Sequence, residues 1–480
     1  MKRSNWVKGL WALLIILILF SVAVFAKDNQ FSIGREDLIY YLLTDRFYDG
    51  DLSNNQNARK KDPSAYHGGD FQGIIDKLDY IKDLGFTTIW ISPVVANQIR
   101  GYHGYWPTDS YKTNENFGSL EKLKELAAKA HEKGIKVIVD LVVTHTSRSH
   151  PWFSDPQYYD WFHHRGPIQN WNDQQELEEG ELANLPHLNH SNPEVKKYLI
   201  DMAKWWIRET GIDGYRLDTA RHVPKIFWKE FAAEIEKEFP GFYLIGEVFD
   251  GRADYVGGYQ QAGLDGLEDY PLHFAIADVF AGNKPANRLI EMVNQCKANY
   301  PNAYLMGTII DTHDVPRFMS QAYGEFAGER LKQALTFLMT YTGIPIMYYG
   351  TEIGLEGSDD PNNRRDMDWS VKSPLTDYVK TLTSIRKANN ALMYGDFQLI
   401  KVEDEFLCYS RRFEENIIIA VFNLSDQKKQ MTLSLPKEFQ VESGQLTELL
   451  NSKGYKLKQG KVKLKMGPRQ VNIFSYHPGK

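Results

Sequence analysis

Apolar and polar positions along this chain follow two rhythms. Short runs rich in aliphatic and aromatic residues occupy 37–43, 87–92, 136–143, 211–218, 242–248, 264–269, 305–310 and 344–349, and each reads as a strand. Longer stretches lie between them, with apolar residues at helical spacing over 74–84, 120–133, 195–209 and 226–237. The third of these carries Tyr198, Leu199, Met202, Trp205 and Trp206 at that spacing. Strands that alternate with helices imply parallel neighbours joined by crossover helices. Eight such units over roughly 350 residues predict a closed α/β fold, the (β/α)8 TIM barrel. An open doubly wound sheet is the alternative, but no glycine-rich phosphate loop follows the first strand.

Two stretches break the rhythm. From 145 to 187 the chain is irregular and rich in Trp, Tyr, His, Asn and Gly, which predicts a small inserted domain after the third strand. From Leu392 the pattern turns to alternating strands, for example 406–410, 417–422 and 471–476, predicting a C-terminal antiparallel β domain, a β-sandwich over 392–480. The barrel then occupies 27–144 and 188–391. At the N-terminus, Lys2, Arg3 and Lys8 precede an apolar run that closes with Val24-Phe25-Ala26, the pattern of an export signal over 1–26. The run is nearly long enough to span a bilayer, so an uncleaved anchor is the alternative. Either way the folded part is expected outside the cell, without a membrane partner once the signal is cleaved, and as a monomer.

Composition narrows the field. The chain has 480 residues, of which 42% are hydrophobic and 25% charged, enough to build two or three domains. Its net charge of −6 is spread in mixed signs, which offers no basic field to nucleic acid. Aromatic residues make up 13%, and such rings suit sugar faces as well as cores. Cys296 and Cys408 lie far apart and form no disulfide framework; both are expected as buried hydrophobes.

Candidate chemistry clusters at the ends of the predicted strands. Arg216 and Asp218 lie two residues apart, so on a strand both point to one face, and an ion pair would keep the carboxylate charged and fixed in place. Alone, an Arg-x-Asp reads as a structural salt bridge. Here Asp140 and His145 follow the third strand, Glu247 ends the fifth, and His313 and Asp314 follow the seventh, all on the rim that carries a barrel's working loops. Carboxylates among His and Arg, without metal-ligand or Ser/His spacing, point to acid/base and nucleophilic carboxylate chemistry.

The motifs Asp140-Leu-Val-Val-Thr-His145, Gly214-Tyr-Arg-Leu-Asp-Thr-Ala-Arg-His222, Gly246-Glu-Val248 and Asp311-Thr-His-Asp314 resemble, in order, those of the α-amylase family of glycoside hydrolases. Tyr102-His103-Gly104-Tyr105-Trp106 and Asp360-Pro-Asn-Asn-Arg364 are similar to two of its sugar-contacting loops. The resemblance implies Asp218 as nucleophile, Glu247 as general acid/base and Asp314 as transition-state stabiliser in a retaining mechanism, with the first two carboxyl groups about 5 to 5.5 Å apart. It implies sugar contacts for His103, Tyr105, Trp106, His145, Arg216, Arg221, His222, His313, Asp360 and Arg364. Tyr105 would stack beneath the ring at the cleavage point, and burial with neighbouring negative charge would keep Glu247 protonated.

The cofactor implied is calcium. Asp49, Asp51, Asn54 and Asn55, with Gly68 and Asp70 further on, resemble the N-terminal calcium site of cyclodextrin glycosyltransferases, and so dense a set of oxygen donors suits a hard cation. A merely solvated Asn/Asp-rich turn is the other reading. The family's central calcium site is altered here: Thr144 stands where an Asn is usual and His187 where an Asp is usual, leaving Asn189 and the carbonyl of His222. Thr219 beside the nucleophile and Val248 beside the acid resemble members acting on α-1,4 bonds. With export and a single β domain after the barrel, the resemblance implies an endo-acting α-amylase on starch and maltooligosaccharides. A maltogenic or cyclodextrin-degrading hydrolase and a 4-α-glucanotransferase are the alternatives within the family; a glucan binder without activity is the alternative outside it, and the retention of three carboxylates speaks against that.

Overall fold

The computed structural model describes residues 32–322, 324–436, 439 and 443–478, so the export reading of 1–26 lies outside the described residues. Every element below belongs to one unit over 33–480. Eight strands, β1 (Ile39–Leu42), β2 (Thr88–Ile91), β3 (Lys136–Leu141), β4 (Gly214–Leu217), β5 (Tyr243–Gly246), β6 (Gly266–Leu267), β7 (Gly307–Thr308) and β8 (Ile344–Tyr348), pair in parallel in the order β6-β5-β4-β3-β2-β1-β8-β7. A bridge from Glu268 to Gly307 joins the two outer strands and closes the barrel. The strands are shorter than the apolar runs that announced them, because the residues after each strand leave the ladder to build the rim.

Eight helices follow the strands one for one: α1 (Phe71–Asp83), α2 (Leu120–Glu132), α3 (Pro193–Thr210), α4 (Lys225–Glu238), α5 (Ala253–Gln260), α6 (Asn287–Asn299), α7 (Ala327–Thr340) and α8 (Pro374–Ala388). Helix α3 shows how local sequence sets the bounds. Asn192 caps its start by accepting from the Glu194 N–H at 2.9 Å, Pro193 fills the first position, and Gly211 ends it in the left-handed region at φ +68°. Leu199, Met202 and Trp206 are buried, whereas Tyr198 and Trp205 flank that face and meet Tyr111 at 5.5 and 5.2 Å between ring centroids.

The insertion holds short helices, Pro151–Ser154 and Gln174–Glu179, and single turns instead of a sheet. Aromatic packing replaces a conventional core: Trp152 meets Trp161 and Tyr198 of α3, each at 4.7 Å. An antiparallel bridge between His145 and His187 ties its two ends together.

Strands β9 (Asp396–Glu403), β10 (Phe406–Phe413), β11 (Asn416–Asn423), β12 (Lys429–Ser434), β13 (Ser443–Glu448), β14 (Gly454–Lys458), β15 (Lys461–Met466) and β16 (Val471–Pro478) form one antiparallel sheet in the order β9-β10-β11-β16-β13-β14-β15-β12. Its ladder runs through a single pair, Lys458 with Lys461, between β14 and β15, and the sheet folds over there so that Leu433 and Leu464 of β12 and β15 share one core with Ile419 and Phe474 of β11 and β16. It begins after the short helix Asn390–Tyr394, so Leu392 belongs to the barrel's side of the boundary. Alternation sends Leu407 and Tyr409 into the barrel's core and Cys408 into the sheet's own. Both cysteines are free and buried.

Two arginines finish α7. Arg386 of α8 donates to the carbonyls of Met339, Tyr341 and Gly343 at 3.0, 3.2 and 2.7 Å, and Arg411 of β10 donates to those of Thr340 and Gly395 at 2.9 and 2.7 Å. Neither makes an ion pair among the described residues. The last carbonyls of a helix lack partners within it and carry partial negative charge, so buried guanidinium groups satisfy both needs.

Candidate active site

Arg216 on β4 points into the barrel and gathers four carboxylates. Its nitrogens lie 3.1 Å from Asp140, 2.8 Å from Asp218, 3.1 Å from Glu247 and 3.0 Å from Glu268. All five side chains are buried or nearly so. Asp140 also accepts from Tyr105 Oη at 2.7 Å and Trp90 Nε1 at 3.3 Å, and Trp90 stacks on Tyr41 at 3.7 Å. One cation cannot balance four anions in a buried space, so protons stay on some of them. Burial above all, then the charges of Asp314, Asp218 and Glu268, pushes Glu247 well above the usual carboxylate range, against the pull of Arg216. The Arg216 nitrogen near Glu247 lacks the alignment of a hydrogen bond, whereas Asp218 receives one squarely. Burial also raises Asp140 and Glu268, again opposed by Arg216.

The rim loops fix the rest. The Thr219 N–H donates to Glu247 Oε2 at 2.8 Å. His313 lies 2.7 Å from Tyr41 Oη through Nδ1 and 3.0 Å from Asp314 through Nε2. Burial and the nearby Arg364 hold this imidazole neutral, so one of its nitrogens accepts; its approach to Asp314 is close but lacks the alignment of a hydrogen bond. Arg364 reaches Asp314 at 3.2 Å and Asp360 at 3.3 Å.

A cavity of about 580 Å³ opens above these groups. Asp218, Glu247, Asp314, His103, Tyr105, Trp106, His145, Arg221, His222, His313, Asp360 and Arg364 all line it, and Arg216 lies beneath. Two readings need refinement. Tyr105 stacks in parallel on His313 at 5.1 Å and donates to Asp140, so its ring is already packed within the wall. Arg221 donates to the Phe249 carbonyl and sits 3.7 Å from Asp250, so its charge holds the loop after Glu247. His145 and His222 bond to the carbonyls of Tyr105 and Leu177 at 3.0 Å each, and burial keeps both imidazoles neutral, His222 down at about 4.

Glu268, Trp171 and Phe249 escaped sequence reading. Glu268 follows the sixth strand, where the rim argument that found Asp140 would have found it. Trp171 and Phe249 lie on loops without periodicity, and both line the cavity.

Near the start of α1, Asp70 caps the helix through the Gly73 N–H at 2.6 Å and accepts from Asp51 N at 2.8 Å and Asn54 Nδ2 at 3.2 Å. Asp49 receives Asn55 Nδ2 at 2.9 Å and pairs with Lys60 at 3.0 Å. The amide oxygens of Asn54 and Asn55 are buried without donors. Gly68, at φ +99°, leaves so little room that a Cβ there would lie 2.3 Å from Asn55 Oδ1 and 3.0 Å from Asp49 Oδ2. Among the described residues no three His, Cys, Asp or Glu side chains form a metal-sized group, so amide oxygens are essential to any cation here. At the altered central position, His187 is buried with Nδ1 2.8 Å from the Gly180 carbonyl, and the Asn189 amide turns to the Asp160 carbonyl at 3.3 Å.

A cleft of carboxylates over the C-terminal mouth of a (β/α)8 barrel suits acid/base and nucleophilic work of the kind glycoside hydrolases perform. Comparison with known proteins makes the class specific. Residues 41–391 match the alpha amylase catalytic domain, and 397–473 match the maltogenic amylase C-terminal domain. An Anoxybacillus alpha-amylase structure is 42% identical with a TM-score of 0.89, covering 93% of this chain and 99% of that one. A Geobacillus thermoleovorans alpha-amylase complexed with acarbose is 38% identical with a TM-score of 0.88 over the same shares. A cyclomaltodextrinase of Thermoanaerobacter pseudethanolicus is 34% identical over 83% of this chain and 71% of its own length. A beta/alpha-amylase of Paenibacillus polymyxa is 37% identical over 91% of this chain, which spans only 37% of that protein. The chain belongs to the alpha-amylase family, and it is an enzyme that acts on carbohydrate.

Proposed function

We propose that this protein hydrolyses α-1,4-glucosidic bonds of starch and maltooligosaccharides from within the chain, with retention of anomeric configuration. The observation that carries the reading is the unequal treatment of two carboxylates by one arginine. Asp218 takes a direct hydrogen bond from Arg216, which fixes it in place to attack, while burial keeps the proton on Glu247 for the departing oxygen. Asp218 attacks the anomeric carbon as Glu247 protonates the leaving oxygen. Glu247, now a carboxylate, takes a proton from water, which attacks the same carbon and frees Asp218. Asp314, oriented by His313 and Arg364, stabilises the positive charge that develops on the sugar.

A second reading, a maltogenic or cyclodextrin-degrading hydrolase, is favoured by the matched C-terminal domain and by the cyclomaltodextrinase among the relatives. Early products from soluble starch separate the two. A spread of α-anomeric maltooligosaccharides supports attack within the chain; one dominant small product supports the second reading. Asp218→Asn and Glu247→Gln, made separately, should each lower turnover at least a hundredfold, and persistence of full activity in both would refute the assigned roles.

Calcium is proposed as the cofactor of the site at Asp49, Asp51, Asn54, Asn55, Gly68 and Asp70. The two donorless amide oxygens beside two carboxylates fit a hard cation, which would fix the loop ahead of α1 and supply no chemistry to the cleft. Export through residues 1–26 is likewise proposed; among the described residues, no helix is long and apolar enough to cross a membrane.

A further inference from the structure

The two side-chain oxygens of Asp218 meet different neighbours. Oδ1 accepts from Arg216 at 2.8 Å, and Oδ2 has the Thr219 hydroxyl at 3.3 Å. The same hydroxyl lies 2.8 Å from Thr144 Oγ1, which in turn lies 3.4 Å from the Asp218 carbonyl. A hydroxyl has one hydrogen to give, so Thr219 cannot serve Thr144 and Asp218 together at full strength. The shorter contact takes it. Thr144 then turns its own hydrogen to the Asp218 carbonyl, and the chain of hydroxyls ends on the nucleophile's backbone without engaging Oδ2.

Thr144 is held firmly for this task. It is fully buried, its carbonyl accepts from the Leu188 N–H at 2.9 Å, and the Pro186 carbonyl accepts from the Thr146 N–H at 3.1 Å, so both ends of the insertion clasp it. The Asp218 N–H donates to the Leu141 carbonyl at 3.1 Å, which fixes the nucleophile against the end of β3. The oxygens that a hard cation would want at this altered position are spent. Thr144 Oγ1 serves Thr219 and Asp218, and Asn189 Oδ1 accepts from the Ser191 N–H at 3.0 Å, while burial keeps the His187 imidazole neutral. These residues do not fit calcium; they form a hydrogen-bonded joint.

We propose that Thr144 is a positioning residue for the nucleophile: by accepting the Thr219 hydrogen it leaves Asp218 Oδ2 free of a hydrogen bond as that oxygen attacks the anomeric carbon. This rests on the retaining glycosidase reading above. Without the acceptor, the Thr219 hydroxyl turns to Oδ2. A hydrogen bond there is strongest while the carboxylate carries its full charge and weakens as the bond to carbon forms, so it stabilises the starting state more than the transition state. The attack slows whatever the leaving group is.

The test reads kcat/KM for maltoheptaose and for α-maltosyl fluoride in the full-length protein, with a melting temperature to show that each variant is folded. Fluoride departs with little help from a proton, so damage to Glu247 falls mainly on maltoheptaose, whereas damage to the nucleophile falls on both substrates. Thr144→Val should lower both values about tenfold, the scale of one hydrogen bond to a charged oxygen. Thr144→Ser keeps the acceptor and should stay close to wild type. Adding Thr219→Val to Thr144→Val removes the misdirected hydroxyl and should recover most of the loss, where a merely structural role would make the double variant worse. Thr144→Val within twofold of wild type overturns the proposal, as does a fall confined to maltoheptaose or a double variant slower than the single one. Wild-type protein inert on both substrates overturns the glycosidase reading itself and this inference with it.

Discussion

The Thr219 N–H donates to Glu247 Oε2 at 2.8 Å while the Thr219 hydroxyl lies 3.3 Å from Asp218 Oδ2. One residue therefore spans the two carboxylates assigned to opposite roles. It does so at φ +48°, a left-handed backbone unusual for a β-branched side chain. Strain of that kind persists where surrounding contacts insist on it.

Thr219→Gly removes the strain, worth roughly 1 to 2 kcal/mol, and returns about 0.5 to 1 kcal/mol as glycine's lost freedom. Stability should thus change by only about 1 kcal/mol. Turnover should drop about tenfold because the tether to Glu247 loosens. Melting temperature and kcat measured on the same preparation check the pair, and an unchanged kcat would show the tether idle.

Glu268 helps hold the proton on Glu247. Its negative charge disfavours ionisation there, so Glu268→Gln should lower the Glu247 pKa and free Arg216 to lower it further. Activity requires protonated Glu247 and is lost as pH rises through its pKa. The alkaline limb of kcat/KM should therefore move to lower pH, and a limb that stays or moves upward contradicts the arrangement.

Arg216→Met leaves Asp140, Asp218, Glu247 and Glu268 without their shared cation. Removing one partner of a buried charge cluster costs about 3 to 5 kcal/mol. Denaturant unfolding should report a loss of that order, together with loss of activity. Arg216→Lys keeps the charge but cannot reach four carboxylates with one ammonium, and should fall between.

The calcium assignment predicts a melting temperature that rises with calcium concentration, as for any ligand of the folded state alone. Gly68→Ala would push a methyl group against Asn55 Oδ1 at a backbone angle that side chains avoid. In that variant the rise should vanish while the starting value falls slightly. Equal calcium responses in both proteins would remove the site.

The barrel was legible because burial imposes a period: strands and helices alike must turn apolar groups inward, and β1 to β8 all appear as runs in the sequence. Asp218, Glu247 and Asp314 were legible because each ends or follows a strand at the working rim. Glu268 stands at the same rim, within the run 264–269, but it lies in none of the motifs that marked the other three. Trp171 lay hidden for a different reason. Its loop is shaped by side-chain caps from Glu176 and Asn170, which leave no spacing to count. The sheet at the C-terminus was legible strand by strand, but its continuity depends on pairings such as β13 with β16 that local pattern does not encode.

The arginines that finish α7 bear on how the molecule can be taken apart. One of the two guanidinium groups at that helix end is supplied from beyond residue 395. A shortened chain ending after α8 would leave the carbonyl of Thr340 without its guanidinium donor and, by removing Leu407 and Tyr409 of β10, open the barrel's apolar flank to water. The C-terminal sheet thus behaves as a wall of the enzyme, so that heat or denaturant should find a single melting event where the sequence suggested two modules.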